Sequence, residues 1–362
     1  MKILLLSCPT GGGHNSCANY ILEELKSNKI DCDFMDFFDI VNKKAKDLSK
    51  KIYLSSLKNN GLIFKNAYRL GELYSNSGII SPVYLANKRY KKKLSDYITN
   101  NKYTLVIATH LFPALTLTAI KKDKNLKNIP FLFVATDYEP CPFINETDPD
   151  YFVTQKGLES DFKRRKIATK KLLLTGIPVS SKFIDSAKNI REKLNIKNEK
   201  MILIMLGSMG FGHVLNIVYE LLKENNAKVV VVCGSNKKLS KELKSIKNKN
   251  LIIMGFVNNI NDLIYSSDLV LTKPGGLSTT EVAVMNKPVL HIYPIPGIET
   301  YNARFFAKRK MSFKCDTESD ILKYAHNILN NKLLSDRLIN NQKKYINTYS
   351  AKDLVEFIKN NY

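Results

Sequence analysis

Two doubly wound parallel α/β domains are what this sequence predicts, and three observations predict them. Short apolar runs alternate with longer amphipathic stretches along most of the chain, the pattern of β-α-β units that cover a parallel sheet with helices. The alternation occurs twice, on either side of Gly176-Ile177-Pro178. At 362 residues the chain is also longer than one core usually supports.

In the first series, strands are expected at 2–7, 31–37, 105–109, 130–136, 151–154 and 171–174. The interval 40–102 is too long for one crossover; it predicts two or three helices, interrupted near 59–61 and 75–82. A helix over 180–194 then leads into a second series, with strands at 201–206, 228–233, 251–254, 268–272 and 288–291. A further short strand is expected near 311–314, and helix from about 318 onward. The domains predicted are 1–178 and 179–345, with a C-terminal helix in 346–362 packing back on the first. Ligands of open α/β sheets bind beyond the carboxyl ends of the strands, so a site in the cleft between the two domains is expected.

Composition narrows the class. The chain is 44% hydrophobic and 25% charged, as in soluble globular proteins. Its 6 cysteines form no CxxC pair, which argues against a zinc site or a disulfide framework and fits a reducing cytoplasm. No apolar stretch reaches the ~18 residues of a membrane span. The first apolar run ends in glycines and reads as a core strand, not a signal peptide. The net charge is +23. Residues 40–102 hold 14 Lys and Arg against 3 Asp and Glu, including the run Lys88-Arg89-Tyr90-Lys91-Lys92-Lys93. Such a segment attracts polyanions, either an acidic lipid surface or nucleic acid; the plainer alternative is a solvated helix face.

Chemistry concentrates at the strand-to-helix corners. Gly11-Gly12-Gly13-His14 follows the first strand. Glycines there permit positive φ and close approach of a ligand, and the helix start offers free N–H groups. His14 is a candidate general base, although a lone histidine is more often structural. A second glycine corner, Gly207-Ser208-Met209-Gly210-Phe211-Gly212-His213, follows a strand of the second half. Cys233-Gly234-Ser235-Asn236 ends another. In Thr272-Lys273-Pro274-Gly275-Gly276-Leu277-Ser278-Thr279-Thr280-Glu281 a strand turns through glycines into a helix, a diphosphate cradle. Glu281 is expected on the first turn, either holding two ribose hydroxyls or acting as a capping-box glutamate.

These segments resemble one family. TGGGH (10–14), ATD (135–137), PDYFVT (149–154), TGIPV (175–179), CGSN (233–236), GFV (255–257), SDLVLTKPGGLSTTE (267–281) and PGIETYNA (296–303) occur in family order. The sequence is similar to the inverting glycosyltransferases that include monogalactosyldiacylglycerol synthases and processive diacylglycerol glucosyltransferases. It is more distantly similar to the GlcNAc transferase of lipid II assembly.

The resemblance implies a GT-B fold, two Rossmann-like domains facing across a cleft, and hexose transfer from a UDP-sugar to diacylglycerol or a glycosyl-diacylglycerol. By position, His14 resembles the base and Asp137 an acceptor-side aspartate. Ser208, Met209 and Gly210 would meet the donor diphosphate, as would Ser278 and Thr279 at the helix start. Gly12, Gly13, Gly234, Asn236, Gly275, Gly276 and Leu277 belong to the donor corners. Phe256 and Val257 would flank the uracil, Glu281 the ribose, and Glu299 and Asn302 the transferred sugar. Lys65, Tyr68, Arg69, Lys88, Arg89, Lys91, Lys92 and Lys93 would face acceptor and membrane.

No metal-binding motif of the Asp-x-Asp kind stands near the donor elements, so the expected chemistry uses no metal and no cofactor beyond the UDP-sugar. A peripheral enzyme on the inner face of the cell membrane follows. Two departures from the family pattern stand out: Ile298 replaces a Gln before Glu299, and Cys141 stands near the place of a His. Competing readings are a GT-B transferase with a polyprenyl-linked or soluble acceptor, a UDP-sugar 2-epimerase, and a nucleic-acid-binding module. An epimerase needs no acceptor groove, which the insertion at 40–102 would supply. A nucleic-acid module would leave the glycine corners unexplained.

Overall fold

A computed structural model describes the whole chain except Thr10, Gly11, 43–45, 47–61, Ser77, 207–213 and 224–226, and the side chains of 62–64, Ala67 and Asn76. The chain divides into two compact units. The first is Met1–Ser180 with Ile295–Ile298 and Tyr349–Tyr362; the second is Ser181–Pro294 with Glu299–Thr348.

The first unit holds a six-stranded parallel sheet in the order β2-β1-β3-β4-β5-β6. Its strands are β1 (Lys2–Ser7), β2 (Asp31–Asp36), β3 (Leu105–Ala108), β4 (Phe131–Val134), β5 (Tyr151–Val153) and β6 (Leu172–Leu173). Ile3 to Leu6 are all buried, as befits a central strand covered on both faces. Leu5 lies opposite Phe34 on one side and Ile107 on the other. β2 stops at Asp36, not at Phe37, because the Asp36 carboxylate accepts from Phe38 N at 2.9 Å and caps the helix Phe37–Val41. Within 40–102 the described helices are Leu62–Asn76, Pro82–Lys88 and Lys91–Asn100.

The second unit has five parallel strands in the order β11-β10-β7-β8-β9. They are β7 (Lys200–Met205), β8 (Ala227–Val232), β9 (Leu251–Met254), β10 (Leu269–Thr272) and β11 (Val289–His291). Two expectations fail here. The helix over 180–194 is reduced to Lys182–Asp185 and a 3-10 turn, Glu192–Leu194. Neighbouring side chains take the backbone donors that a longer helix would need. Lys188 N bonds to Asp262 Oδ1 at 2.8 Å, and Ile190 N to Ser266 Oγ at 2.8 Å. The strand near 311–314 is absent. Met311 N bonds back to Phe306 O and Ser312 Oγ donates to Val289 O, so the segment is pinned beside β11 without pairing to it.

The last helix, Ser350–Asn361, belongs to the first unit, where it packs on the helix Gly13–Ser27. Ser350 Oγ donates to Ile177 O at 2.8 Å, and the rings of Tyr151 and Phe357 meet edge to face at 5.0 Å.

Candidate active site

Three neighbouring strands of the first unit end at one place. Gly12, Gly13 and His14 follow β1, Thr109 and His110 follow β3, and Thr136 and Asp137 follow β4. The sheet order reverses between β1 and β3, which is where open α/β sheets form their crevice. His14 is the second residue of the helix Gly13–Ser27. Its Nδ1 lies 2.8 Å from Thr109 O and 3.0 Å from Thr136 Oγ1. A carbonyl can only accept, so Nδ1 carries the hydrogen and Nε2 keeps its lone pair. Thr109 Oγ1 donates back to His14 O at 3.1 Å.

The His110 ring stands edge-on to His14 at 4.8 Å. His110 Nδ1 accepts from Phe112 N at 3.2 Å and caps the helix Leu111–Lys121. Burial holds both imidazoles below their ordinary 6.5; at His14 the Asp137 carboxylate and the Thr109 carbonyl work the other way. Both rings are therefore neutral at pH 7.

The glycine expectation is corrected in part. Gly12 has φ −82, and Gly13 is not among the positive-φ glycines, so neither needs glycine's special conformation. Gly234 does, at φ 57. Asn236, beside it, caps the helix Lys237–Lys244 through Leu239 N at 2.9 Å, so its side-chain oxygen is engaged within the fold.

In the second unit the sheet order reverses between β7 and β10, and β10 ends in Thr272-Lys273-Pro274-Gly275. Gly275 caps the helix Gly276–Val284 with φ −66, an ordinary value, and a Cβ there would meet nothing within 4 Å. Neither backbone strain nor packing requires glycine at this position, and the helix start there is open. Gly276 and Leu277 are buried, and Ser278 is half-buried. Glu281 is corrected from the first turn to the second, and with Gly275 as cap the capping-box alternative falls. The residue is 7% exposed.

Thr279, expected at the donor through the helix start, has its N–H on Gly275 O at 3.0 Å and its hydroxyl inside the unit, 3.3 Å from His291 Nε2. Asn302 donates Nδ2–H to Pro274 O at 2.9 Å, so that hydrogen holds the proline-glycine turn. Glu299 stands in the first turn of the helix Ile298–Lys308. Phe256 leaves 72% of its surface in water and Val257 is half-buried beside it, a ring face left for a flat partner. Ser208, Met209 and Gly210 lie outside the described residues.

The sequence reading missed Thr109, His110 and Thr136, and took Lys273 only as part of the glycine turn. Thr109 and His110 follow β3, which lies beside β1, and Thr136 follows β4, the next strand out; each sits within two residues of a strand end, which the predicted sheet could have flagged. Lys273 is 9% exposed; burial lowers its ammonium pKa while Glu299 opposes the shift. A cation at the head of the glycine turn suits a diphosphate.

Residues 14–179 match the monogalactosyldiacylglycerol (MGDG) synthase family, and residues 201–356 match the glycosyltransferase family 28 C-terminal domain. The chain thus carries two glycosyltransferase family domains, one in each half. Among relatives of the family is a processive diacylglycerol beta-glucosyltransferase of Staphylococcus epidermidis, 28% identical over 375 residues, covering 99% of this chain and 93% of that one. Its Staphylococcus aureus counterpart is also 28% identical, over 376 residues, with the same coverage.

Solved structures place the fold as GT-B. MurG of Acinetobacter baumannii superposes with a TM-score of 0.65 at 14% identity, over 99% of this chain and 100% of that one. A UDP-GlcNAc 2-epimerase of Neisseria meningitidis gives 0.64 at 16% identity, over 100% of both chains. Transferases and epimerases share this fold, so the distinction between them rests on the sequence relatives.

A pH effect follows from His291. Its pKa is pushed down to about 3 by burial, from 6.5. The unfolded chain takes up this proton below about pH 6.5 and the folded chain only near 3, so stability is lost as pH falls through that window. At pH 4 the loss is about 3 kcal/mol. His291→Gln is expected to remove it: the stability gap between wild type and variant, measured by urea unfolding at pH 7 and pH 4, should move in the variant's favour on acidification. An unchanged gap would refute the buried neutral imidazole.

Proposed function

We propose that the chain transfers a hexose from a UDP-sugar to diacylglycerol, or to a glycosyl-diacylglycerol, with inversion at the anomeric carbon. The observation that carries the proposal is His14: a half-buried imidazole with Nδ1–H fixed on Thr109 O and Nε2 left basic, in a chain that carries these two glycosyltransferase domains. The acceptor oxygen attacks the anomeric carbon as its proton passes to His14 Nε2. The bond from that carbon to the diphosphate oxygen breaks, and UDP leaves as the anion. The start of the helix Gly276–Val284 and Lys273 supply positive charge to the leaving group, so the reaction so described needs no metal. Activity is expected to survive EDTA.

The decisive experiment incubates the protein with diacylglycerol vesicles and a panel of UDP-sugars and resolves the lipids by mass. A hexosyl-diacylglycerol supports the proposal; UDP-sugar isomerisation without a lipid product overturns it. Glu281 should hold the ribose hydroxyls of the donor. Glu281→Ala is expected to weaken UDP binding by about 1.5–3 kcal/mol in calorimetry, the worth of charged hydrogen bonds.

We further propose that the enzyme works as a peripheral protein at an anionic, cytoplasm-facing membrane surface. Among the described residues no helix is long and apolar enough to cross a membrane. Leu70, Leu73, Ile79, Ile80 and Leu85 are each more than half exposed, beside exposed Lys65, Arg69, Lys88, Arg89 and Lys92. Lysines facing acidic lipid contribute about 1 kcal/mol each, and exposed aliphatics can enter the headgroup layer.

Not every residue of the segment is available. Lys91 pairs with Asp123 at 2.6 Å, Lys93 donates to Val41 O at 3.2 Å, Tyr84 is buried and Tyr68 is half-buried. The side chains of Leu62, Ile63 and Phe64, and Tyr53 and Leu57 entirely, lie outside the described residues. Substituting Lys65, Arg69, Arg89 and Lys92 by Gln should reduce pelleting with phosphatidylglycerol vesicles, as should 0.5 M salt on the wild type. Unchanged pelleting of the variant would remove those four from the docking face.

A further inference from the structure

Two imidazoles meet beyond the ends of β1 and β3, and the reaction above uses only one of them. We propose that the other, His110, is a positioning residue for the transfer: an uncharged helix cap whose ring walls in His14 and keeps it a free base. The proposal rests on His14 as the base but concerns a residue to which that reading gives no part.

His110 directly follows Thr109, whose carbonyl takes the His14 hydrogen, and its backbone is extended, with φ −139 and ψ 151. One strand end therefore orients the base and also sets a ring against it, at 4.8 Å. The helix Leu111–Lys121 begins at the next residue. Pro113 in its first turn has no N–H, and the Phe112 N–H goes to His110 Nδ1 at 3.2 Å. A backbone N–H can only donate, so His110 Nδ1 holds the lone pair and Nε2 the hydrogen. His14 is the opposite tautomer, with its hydrogen on Nδ1. Aromatic rings hold His110 from behind: Phe112 meets it edge to face at 4.7 Å, and Phe38 meets Phe112 at 6.1 Å.

Three features keep His110 uncharged. A proton on Nδ1 would expel the Phe112 N–H and undo the cap. The N-terminal end of the helix repels positive charge. Burial and then the neighbouring His14 both lower its affinity for a proton.

The cap matters because of what stands beside it. Asp, Asn and Ser are the usual caps. The helices Gly13–Ser27 and Leu111–Lys121 carry no acid in their first turns, and the charge that acts on His14 comes from Asp137, beyond the end of β4. An aspartate at 110 would add a second carboxylate, and the base would be protonated before it met its acceptor. Asn or Ser would satisfy Phe112 N but leave room for water against the His14 ring. Histidine is the cap that brings an acceptor, a ring and no charge.

NMR of the full chain, labelled at the nitrogens of its 5 histidines, reads tautomer and titration directly. His14 is expected as the Nδ1–H form and His110 as the Nε2–H form, with the His14 midpoint below 6.5. H110N keeps a cap and removes the ring, so the His14 midpoint should rise towards 6.5. H110D keeps a cap and adds charge. Its midpoint should rise by about one unit or more, and the acid limb of the transfer rate should move with it, about tenfold slower per unit. H110F keeps a ring and loses the cap; it should melt at a lower temperature and leave the midpoint where it was. A residue that only caps its helix would give the reverse, with H110N titrating as the wild type. An unmoved His14 midpoint in either H110N or H110D, or His110 found as the Nδ1–H form, would overturn the assignment. If the midpoints move as described but no hexosyl-lipid forms, the proposed function falls and the pairing of His14 with His110 stands.

Discussion

His14→Ala is expected to lower the rate of sugar transfer by about 10²–10⁴-fold, the usual worth of a general base, and to leave the dissociation constant for UDP within about twofold. The expectation follows from which unit holds what. His14, the groups that orient it, Thr109 and Thr136, and Asp137, whose charge acts on the ring, all belong to the first unit, whereas Lys273, Gly275 and Glu281 belong to the second. Radiolabelled transfer and calorimetry on the same preparation check both halves. Comparable loss of turnover and of UDP affinity would sink the assignment. The wild-type rate should fall on acidification with a midpoint below pH 6.5, because burial lowers the imidazole pKa. Asp137→Asn should move that midpoint lower still, since the Asp137 carboxylate favours the protonated ring.

Ending the chain at Thr348 is expected to unfold the first unit while the second stays folded. The removed helix buries Leu354, Val355 and Ile358 almost completely. At about 1.5–3 kcal/mol for each such side chain, the loss is roughly 5–9 kcal/mol, comparable with the whole stability of a domain. Ser350 goes too, and with it the hydrogen bonds to Ile177 O and from Val179 N. Scanning calorimetry should then show one transition in place of two. A truncated chain that keeps the wild-type melting profile would refute this.

What could be read from the sequence follows a physical division. The strands were legible because a parallel sheet buried on both faces demands unbroken apolar runs such as Ile3–Leu6 and Val229–Val232, and few other elements tolerate them. Element ends were less so: Asp36 ends β2 by a side-chain cap. The helix expected over 180–194 failed because Asp262 and Ser266, more than 70 positions away, compete for its backbone donors.

The site divides in the same way. His14 and the glycine turn at Gly275 are local signals at strand ends. Thr109 and Thr136 orient His14 from 95 and 122 positions away, so only the assembled sheet reveals them. Glu281 was visible as a residue, but its turn of the helix depended on which residue caps it.

The first unit is assembled from both ends of the chain: its sheet comes from Met1–Ser180 and its last helix from Tyr349–Tyr362. On the ribosome these pieces do not emerge together. The sheet and the helix Gly13–Ser27 leave the exit tunnel early, but Leu354, Val355 and Ile358, on the helix that packs against Gly13–Ser27, follow only after the second unit. The whole of the second unit is synthesised in between. The second unit can therefore complete its own fold first, and the half that holds His14 waits, with an apolar face uncovered, until residues 349–362 emerge. Nascent chains arrested before residue 349 should accordingly be bound by chaperones through that face.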